Sequence, residues 1–190
     1  MKPVSRYHPL LVTLHWLLAV LIIAALTIGF FFLAAMPNSD PRKIGILLLH
    51  MAAGMLILVL MGIRFIVRLR TARPASATTG YPLLDRLAPI SHYGFYLLVL
   101  LMVATGYATA ILAGLNRIVF QGSGDPLPPS FTIYPTFVAH ALLATVLAGA
   151  IVLHTLAACY HQLVRKDGLL RRMLFGRRFA ATGPDQTFSD

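Results

Sequence analysis

The chain has 190 residues, of which 58% are hydrophobic and only 12% are charged, and its formal net charge is +10. Because a soluble domain carries about a quarter charged residues, this composition predicts a membrane protein. The positive charge does not predict nucleic-acid binding, since the basic residues flank apolar runs and form no basic stripe. The acidic residues are six aspartates, expected in loops or in the tail, and this excludes a carboxylate proton relay within the apolar runs.

Four apolar stretches are each long enough to cross a hydrocarbon core, which takes about 20 helical residues. We place them at Pro9–Ala35, Arg42–Arg68, Leu83–Ala113 and Tyr134–Val164. The predicted fold class is an all-α membrane protein, a four-transmembrane-helix bundle in a lipid bilayer. A single domain is expected over residues 1–180, followed by a disordered polar tail over residues 181–190.

The basic residues predict how the bundle is oriented. Thirteen of the sixteen lie in the N-terminal segment, the second connection and the C-terminal segment: Lys2, Arg6, Arg64, Arg68, Arg70, Arg73, Arg86, Arg165, Lys166, Arg171, Arg172, Arg177 and Arg178. The positive-inside rule then places both termini in the cytoplasm. The connection Gly114–Ile133 is the longest on the outer side, and it is expected to cover the bundle there.

Four of the seven histidines, His15, His50, His140 and His154, sit inside long apolar runs that otherwise carry almost no ionisable side chains, and such residues are functional candidates by default. Counting along each helix places His15 and His154 in the cytoplasmic half and His50 and His140 in the outer half. His140 and His154 are separated by about four helical turns, so both rings leave one face of the fourth helix about 21 Å apart. The pairs His15 with His154 and His50 with His140 could each clamp one iron, which predicts that the bundle encloses two haems.

The only cysteine, Cys159, excludes covalent haem attachment and a cysteine-held iron–sulfur cluster, so the predicted haems are b-type. Two imidazoles fill both axial positions, which favours electron transfer over oxygen binding. Tetrahedral zinc fits less well, because it needs a third or fourth ligand at the same depth. The alternative is that these histidines only hydrogen-bond neighbouring helices.

Further residues are candidates for contact with haem. Arg64 follows His50 by fourteen residues on the same helix face and could bind a propionate, although a basic residue near a helix end can also reach for lipid headgroups. Trp16 could pack against a porphyrin or belong to the interfacial belt. Gly54, one turn after His50, could make room for the macrocycle.

Two other histidines have open roles. His92 is expected at the depth of His15 and His154, either as a competing iron ligand or as a hydrogen-bond donor to a propionate or a substrate. His161 follows His154 by seven residues and so lies on the same face, about 10 Å nearer the membrane surface. It is expected to contact a quinone or a propionate, or to be a plain interfacial histidine.

Three segments together resemble the bacterial cytochrome b561 family: LLVTLHW with His15, LLLHMAAGMLILVLMGIRFIVRLR with His50, and HALLATVLAGAIVLHTLAACYHQLVRKDGLL with His140, His154 and His161. The likeness extends from about Tyr7 to Met173 and includes the SHYGFYLL segment with His92. It implies a protein of the bacterial inner membrane with two bis-histidine haems b, ligated by the two pairs deduced above.

The resemblance also implies a reaction. The family includes enzymes that oxidise superoxide, and in those members electrons pass from superoxide at the periplasmic side through the haems to ubiquinone near the cytoplasmic side. The resemblance implies that His161 corresponds to a histidine near the inner haem and the quinone region. The outer basic residues Arg42, Lys43 and Arg117 could steer an anion towards the outer haem. One alternative is a haem subunit that serves a periplasmic redox partner without superoxide activity, and another is a non-redox protein such as a small transporter.

Overall fold

A computed structural model describes residues 5–72, 74 and 82–176, with only the backbone described at 82–89 and 92. Helix α1 spans Pro9–Thr27 and continues as a π-helical segment, Ile28–Leu33. Helices α2, α3 and α4 span Arg42–Arg70, Pro82–Leu112 and Pro135–Tyr160, and α4 continues as a π-helical segment, His161–Arg165. Four spans are long and apolar enough to cross a membrane: Pro9–Leu33, Arg42–Arg70, Tyr93–Leu112 and Pro135–Arg165. The predicted all-α, four-helix membrane fold is confirmed.

Helices suit these segments because a helix satisfies its own backbone hydrogen bonds, which lipid cannot do. Helix α1 begins where the ring of His8 accepts a hydrogen bond from the backbone N–H of Leu10 at 3.3 Å. Pro9 and Pro135 stand at the first positions of α1 and α4, where a missing N–H costs little. These two prolines therefore begin helices and do not interrupt them.

The four helices pack as two closely associated pairs, α1 with α2 and α3 with α4, and α2 also contacts α3. Each helix contributes one residue to a buried cluster at mid-bundle, which consists of Leu18, Ile57, Val99 and Leu147. This cluster separates the two ends of the bundle from each other.

We call one end the loop end, because the α1–α2 and α3–α4 connections lie there. The α3–α4 connection is partly helical, with a π-helical turn at Asn116–Phe120 and a 3₁₀ turn at Phe131–Ile133. Its apolar side chains pack against Leu47 and Ala110 in a second buried cluster, to which it contributes Leu115, Ile118, Val119, Leu127 and Phe131. The expectation that this connection covers the bundle agrees with this packing, although it is more ordered than a plain loop.

We call the opposite end the terminal end. After α4 the chain turns back through Lys166 and Gly168, both with positive φ, into a 3₁₀ helix, Leu169–Met173. The returning segment meets the start of the chain, where the backbone N–H of Tyr7 donates to the carbonyl of Arg172 at 3.2 Å.

Arg6 and the start of α1 complete the contact between the chain termini. The Nη1 atom of Arg6 donates to the carbonyls of Leu174 and Phe175 at 3.1 and 2.8 Å. The indole N–H of Trp16 donates to the carbonyl of Met173 at 2.9 Å. Both described terminal segments therefore close the same end of the bundle.

Two expectations from the sequence concern the position of Asp85 and the disorder of the C-terminal tail. Asp85 lies within α3 and not in a loop, although it precedes the apolar span that starts at Tyr93. The tail at residues 181–190, expected to be disordered, lies outside the described residues, so that expectation stays a prediction.

Candidate haem sites

The structure brings the four span histidines together in the two predicted pairs. The ring centres of His50 and His140 are 6.2 Å apart with their planes at 80°, and we call these residues the loop pair. The ring centres of His15 and His154 are 6.3 Å apart with their planes at 70°, and we call these the terminal pair. Helix α4 contributes one histidine to each pair.

This spacing fits two imidazoles on opposite sides of one metal ion. A metal–imidazole bond is about 2.0 Å long, and the nitrogen of a five-membered ring with bonds of about 1.3–1.4 Å lies about 1.1 Å from the ring centre. Two ligands facing each other across one ion therefore have ring centres about 6.2 Å apart, in agreement with both pairs. Among the described residues no three His, Cys, Asp or Glu side chains come together, so a tetrahedral zinc site lacks its ligands there.

In the loop pair, α3 fixes the orientation of His140. Its Nδ1 atom lies 2.9 Å from the carbonyl oxygen of Met102, and because a carbonyl only accepts, Nδ1 carries the proton and Nε2 is left as the ligand atom. One turn further along α3, a Cβ added to Gly106 would lie 2.9 Å from Cε1 of His140. A side chain at position 106 would therefore displace the ring.

The ring of His50 faces α1, where the backbone of Ala25 is close enough to hydrogen-bond it. Its Nδ1 atom is buried without a hydrogen-bond partner among the described residues. A Cβ added to Gly29, in the π-helical segment that continues α1, would meet the Cε1 atom of His50 at 3.6 Å, which is ordinary contact. The unsatisfied Nδ1 atom leaves His50 with one buried nitrogen that a bound metal could satisfy.

The loop pair lines a cavity of about 970 Å³ that reaches from mid-bundle to both connections at the loop end. Most of its lining is aliphatic or aromatic, as expected for a site that holds a large flat cofactor. Gly54 lines this cavity, and a Cβ added there would meet no atom within 4 Å. The expectation that Gly54 leaves room for a macrocycle is compatible with this open space and stays a prediction.

The comparisons with known proteins agree with this geometry. The family described as prokaryotic cytochrome b561 matches residues 6–176. The chain belongs to the prokaryotic cytochrome b561 family. It is also 31% identical over 181 residues to a protein of Yersinia pestis named probable superoxide oxidase CybB, covering 92% of this chain and 98% of that protein. Cytochromes b561 are four-helix membrane proteins that bind b-type haem and transfer electrons, and the donor set at both pairs suits that cofactor.

In this cytochrome b561 the terminal pair has different surroundings from the loop pair. The rings of Trp16 and His15 are 5.2 Å apart, and those of Phe95 and His154 are 5.4 Å apart, both in edge contact. Trp16 thus contacts His15 and hydrogen-bonds Met173, while its predicted packing against a porphyrin is not tested. His154 itself is exposed, whereas His50 and His140 are half-buried.

Arg64 points into the bundle at the terminal pair, as predicted from its spacing to His50. Its Nη1 atom donates to the carbonyl of Leu11 at 2.7 Å, and its charge lies near enough to His154 to interact with it. The guanidinium keeps further donors for an anion. The role of Arg64 as a propionate partner stays a prediction. His92, the competing ligand, has a side chain outside the described residues.

His161 lies beyond the terminal pair in a polar cluster. Its Nδ1 atom is 2.5 Å from Oδ2 of Asp167, and Nε of Arg165 is 4.0 Å from the same oxygen. The hydrogen bond to His161 is the main reason why the pKa of Asp167 falls below its usual 3.8. The sequence predicts a functional role for His161 but not for Asp167. The six-residue spacing between them, across the Lys166–Gly168 turn, is a signal that could have indicated their contact.

The three outer basic residues are not equivalent. Arg42 forms an ion pair with Asp40 at 2.7 Å, and this hydrogen bond lowers the pKa of that carboxyl. Arg117 forms an ion pair with Asp125 at 3.0 Å. Lys43 is buried and lines the cavity of the loop pair. The predicted role of all three in steering an anion is not tested, and two of the charges are locally neutralised.

Proposed function

We propose that this chain is a di-haem b-type membrane cytochrome with one haem at each histidine pair. It would carry electrons across the inner membrane from a periplasmic donor, favoured here as superoxide, to ubiquinone near the cytoplasmic side. The observation that carries the proposal is the spacing of the two pairs, 6.2 and 6.3 Å between ring centres, at two depths of one helix. Its enzymatic class would then be a superoxide:quinone oxidoreductase.

The loop end would face the periplasm and the terminal end the cytoplasm. The positive-inside rule supports this orientation, because basic residues concentrate near the termini and in the α2–α3 connection. With both termini cytoplasmic, the loop pair lies towards the periplasm and the terminal pair towards the cytoplasm. The family and the four spans support a multi-pass inner-membrane protein.

Haem bound at each pair would be held by its two histidines and would supply one-electron transfer. The protein's part is to hold and orient these imidazoles and to exclude water. Met102 keeps the proton of His140 on Nδ1, so that Nε2 stays available. The mid-bundle cluster of apolar residues separates the two sites and keeps water from the path between them.

At the donor side, each superoxide anion would lose one electron and leave as oxygen. Two such steps, with two protons taken up at the acceptor side, reduce one ubiquinone to ubiquinol. The name of the relative from Yersinia pestis supports superoxide as the donor. An anion that approaches the loop end meets Lys43 at the cavity wall, while Arg42 and Arg117 are already paired with aspartates.

At the acceptor side, His161 is the favoured contact for the quinone. Its Nδ1 atom is engaged by Asp167, which leaves Nε2 to face a quinone oxygen. Asp167 would hold the imidazole in that orientation. The lipid-facing surface of α4 is apolar around this residue, as a quinone that arrives from the bilayer requires.

The decisive experiment exposes the purified, haem-loaded protein to a steady superoxide flux and follows the α-band of reduced haem. We expect rapid reduction that superoxide dismutase abolishes, and reoxidation when a soluble ubiquinone is added. No reduction above the dismutase-treated control would remove superoxide as the donor. Reduction only by a co-purifying periplasmic protein would instead favour the haem subunit of a larger redox complex.

A further inference from the structure

Helix α2 carries two basic residues, Lys43 and Arg64, on the face that bears His50. Lys43, His50, Ile57 and Arg64 recur every seven residues, which is close to two helical turns, so they share one face. Ile57 lies in the mid-bundle cluster, so this face is turned into the bundle. Lys43 therefore lies on the inward face about 10 Å beyond His50, towards the loop end.

Lys43 is a buried cation for which the described residues offer no carboxylate. Its exposed fraction is 4%. Its Nζ atom donates to the carbonyl of Met36 at 2.6 Å and lies 5.8 Å from the ring centre of Phe131. Within the described ranges, the loop-end acids Asp40 and Asp125 are paired with arginines.

A lysine ammonium has three donors, and one of them is used here. An ammonium removed from water is costly to bury unless an anion accompanies it. The neighbouring Arg42 shows the contrast, since its side chain is 79% exposed and already has a carboxylate partner. Lys43 therefore has both the unused hydrogen-bonding capacity and the electrostatic need for an anionic ligand.

The space next to Lys43 is the cavity of the loop pair. Lys43, Met36 and Phe131 line the same cavity as His50 and His140. An anion that reaches the ammonium must therefore lie inside this cavity or pass through it. The propionate carboxylates of a b-type haem are anions of this kind, and they belong to the ligand that the loop pair is suited to hold.

We propose that Lys43 binds a propionate carboxylate of the haem held by the loop pair, and so raises the affinity and the reduction potential of that haem. The inference rests on the assignment of a haem to the loop pair under the proposed function. Neutralising a propionate favours the reduced state of the haem, because reduction adds negative charge to the site. Lys43 would thus be a cofactor-binding residue and not a surface charge that only steers substrate.

The test compares variants of the full-length, haem-loaded protein by redox titration and resonance Raman spectroscopy. Lys43→Met keeps the length of the side chain and removes the charge. We expect it to lower the midpoint potential of one haem only and to shift the propionate bending band. Lys43→Arg should preserve both values. Arg42→Gln, which removes a neighbouring exposed charge, is the matched control and should change neither.

The source of the anion is tested by titrating chloride, a small anion from solution, into the wild-type protein. A propionate partner predicts no chloride effect that is specific to one haem, whereas a bound solution anion predicts a shift of that haem which is lost in Lys43→Met. The second result would overturn the propionate assignment.

Haem content separates this inference from its premise. A wild-type protein with two haems whose potentials and Raman band are unchanged by Lys43→Met would refute the role of Lys43 alone. A haem content that is unchanged by His140→Ala would refute the loop-pair haem itself.

If Lys43→Met loses one haem, retention of that haem by Lys43→Arg supports the proposal. Loss in both variants would show that the lysine is needed for packing and would overturn the proposal.

Discussion

The loop end and the terminal end hold histidine pairs of nearly equal spacing, but they hold them by different means. The loop pair is oriented across helices, by Met102 and Gly106 of α3, inside a cavity covered by the α3–α4 connection. The terminal pair lies beside Trp16, which is tied to the chain's own C-terminal segment. The same spacing between two histidine rings can therefore depend on helix packing at one end and on docked terminal segments at the other.

Removing one ligand from each pair tests whether the two ends are independent, and it has the largest expected effect. His140→Ala and His154→Ala should each lose one of two haems, because each removes an axial ligand from one pair only. Pyridine haemochrome absorbance per chain measures the loss. His8→Asn, which changes a histidine outside both pairs and keeps a helix-capping side chain, should retain both haems. Equal loss of both haems from either substitution, in a protein that is still folded, would contradict independence.

Gly106→Ala tests the dependence of the loop pair on close helix packing. The added Cβ would lie 2.9 Å from the His140 ring, and overpacking of this kind costs about 1–3 kcal/mol. We expect weaker binding of the loop-pair haem alone, measured as faster haem transfer to apomyoglobin. Gly94→Ala on the same helix is the control, because its Cβ would meet no atom within 4 Å. Equal haem release in the two variants would refute the packing argument.

Asp167→Asn tests whether the polar cluster at the terminal end serves quinone reduction. Loss of a hydrogen bond to a charged carboxylate, worth about 1.5 kcal/mol at the low end, would raise the KM for ubiquinone by about tenfold. Reduction of haem by the donor should be unchanged. Asp125→Asn, at the loop end, is the control and should leave the KM as it is. A KM that does not respond to Asp167→Asn would remove this residue from the acceptor site.

The same contact has a defined pH dependence. The folded-state pKa of Asp167 is lowered from 3.8, so the stabilising contact is present above that value and is lost as the pH falls through the folded pKa. We therefore expect no change from protonation of the Asp167 carboxylate itself between about pH 5 and pH 8. The lowered pKa of Asp167 would be contradicted if the wild-type KM rose within that range and the KM of Asp167→Asn did not change with pH.

Trp16→Phe gives the smallest expected effect and probes the docking of the C-terminal segment. It removes the hydrogen bond to Met173, worth about 1 kcal/mol, which corresponds to a Tm lower by about 2–4 °C for a chain of this size. Leu17→Ala is the matched control, because both side chains are 44% exposed. A Tm that falls no further with Trp16→Phe than with Leu17→Ala would show that this hydrogen bond is not needed.

The sequence predicts the helices and the histidine pairs because both follow from counting along one helix at a time. Four long apolar runs predict four spans, and depth along each span predicts which histidines meet. The structure brings together the same pairs. That they ligate haem stays a prediction from geometry and family, and so does the number of haems.

Features that depend on register between helices could not be predicted. Gly106 was one of several glycines inside the spans, and only its position opposite His140 makes it special. The contact of Trp16 with Met173 joins residues 157 positions apart. The sequence predicts Lys43 only as an outer basic residue that could steer an anion, although its seven-residue spacing from His50 is a signal of the inward face.

The most direct test of the two-site account is the haem content and spin state of the purified chain. We predict two haems b per chain, both six-coordinate and low-spin in the EPR spectrum, as two bis-histidine pairs require. One haem per chain, or a high-spin signal from a haem with only one axial histidine, would contradict it.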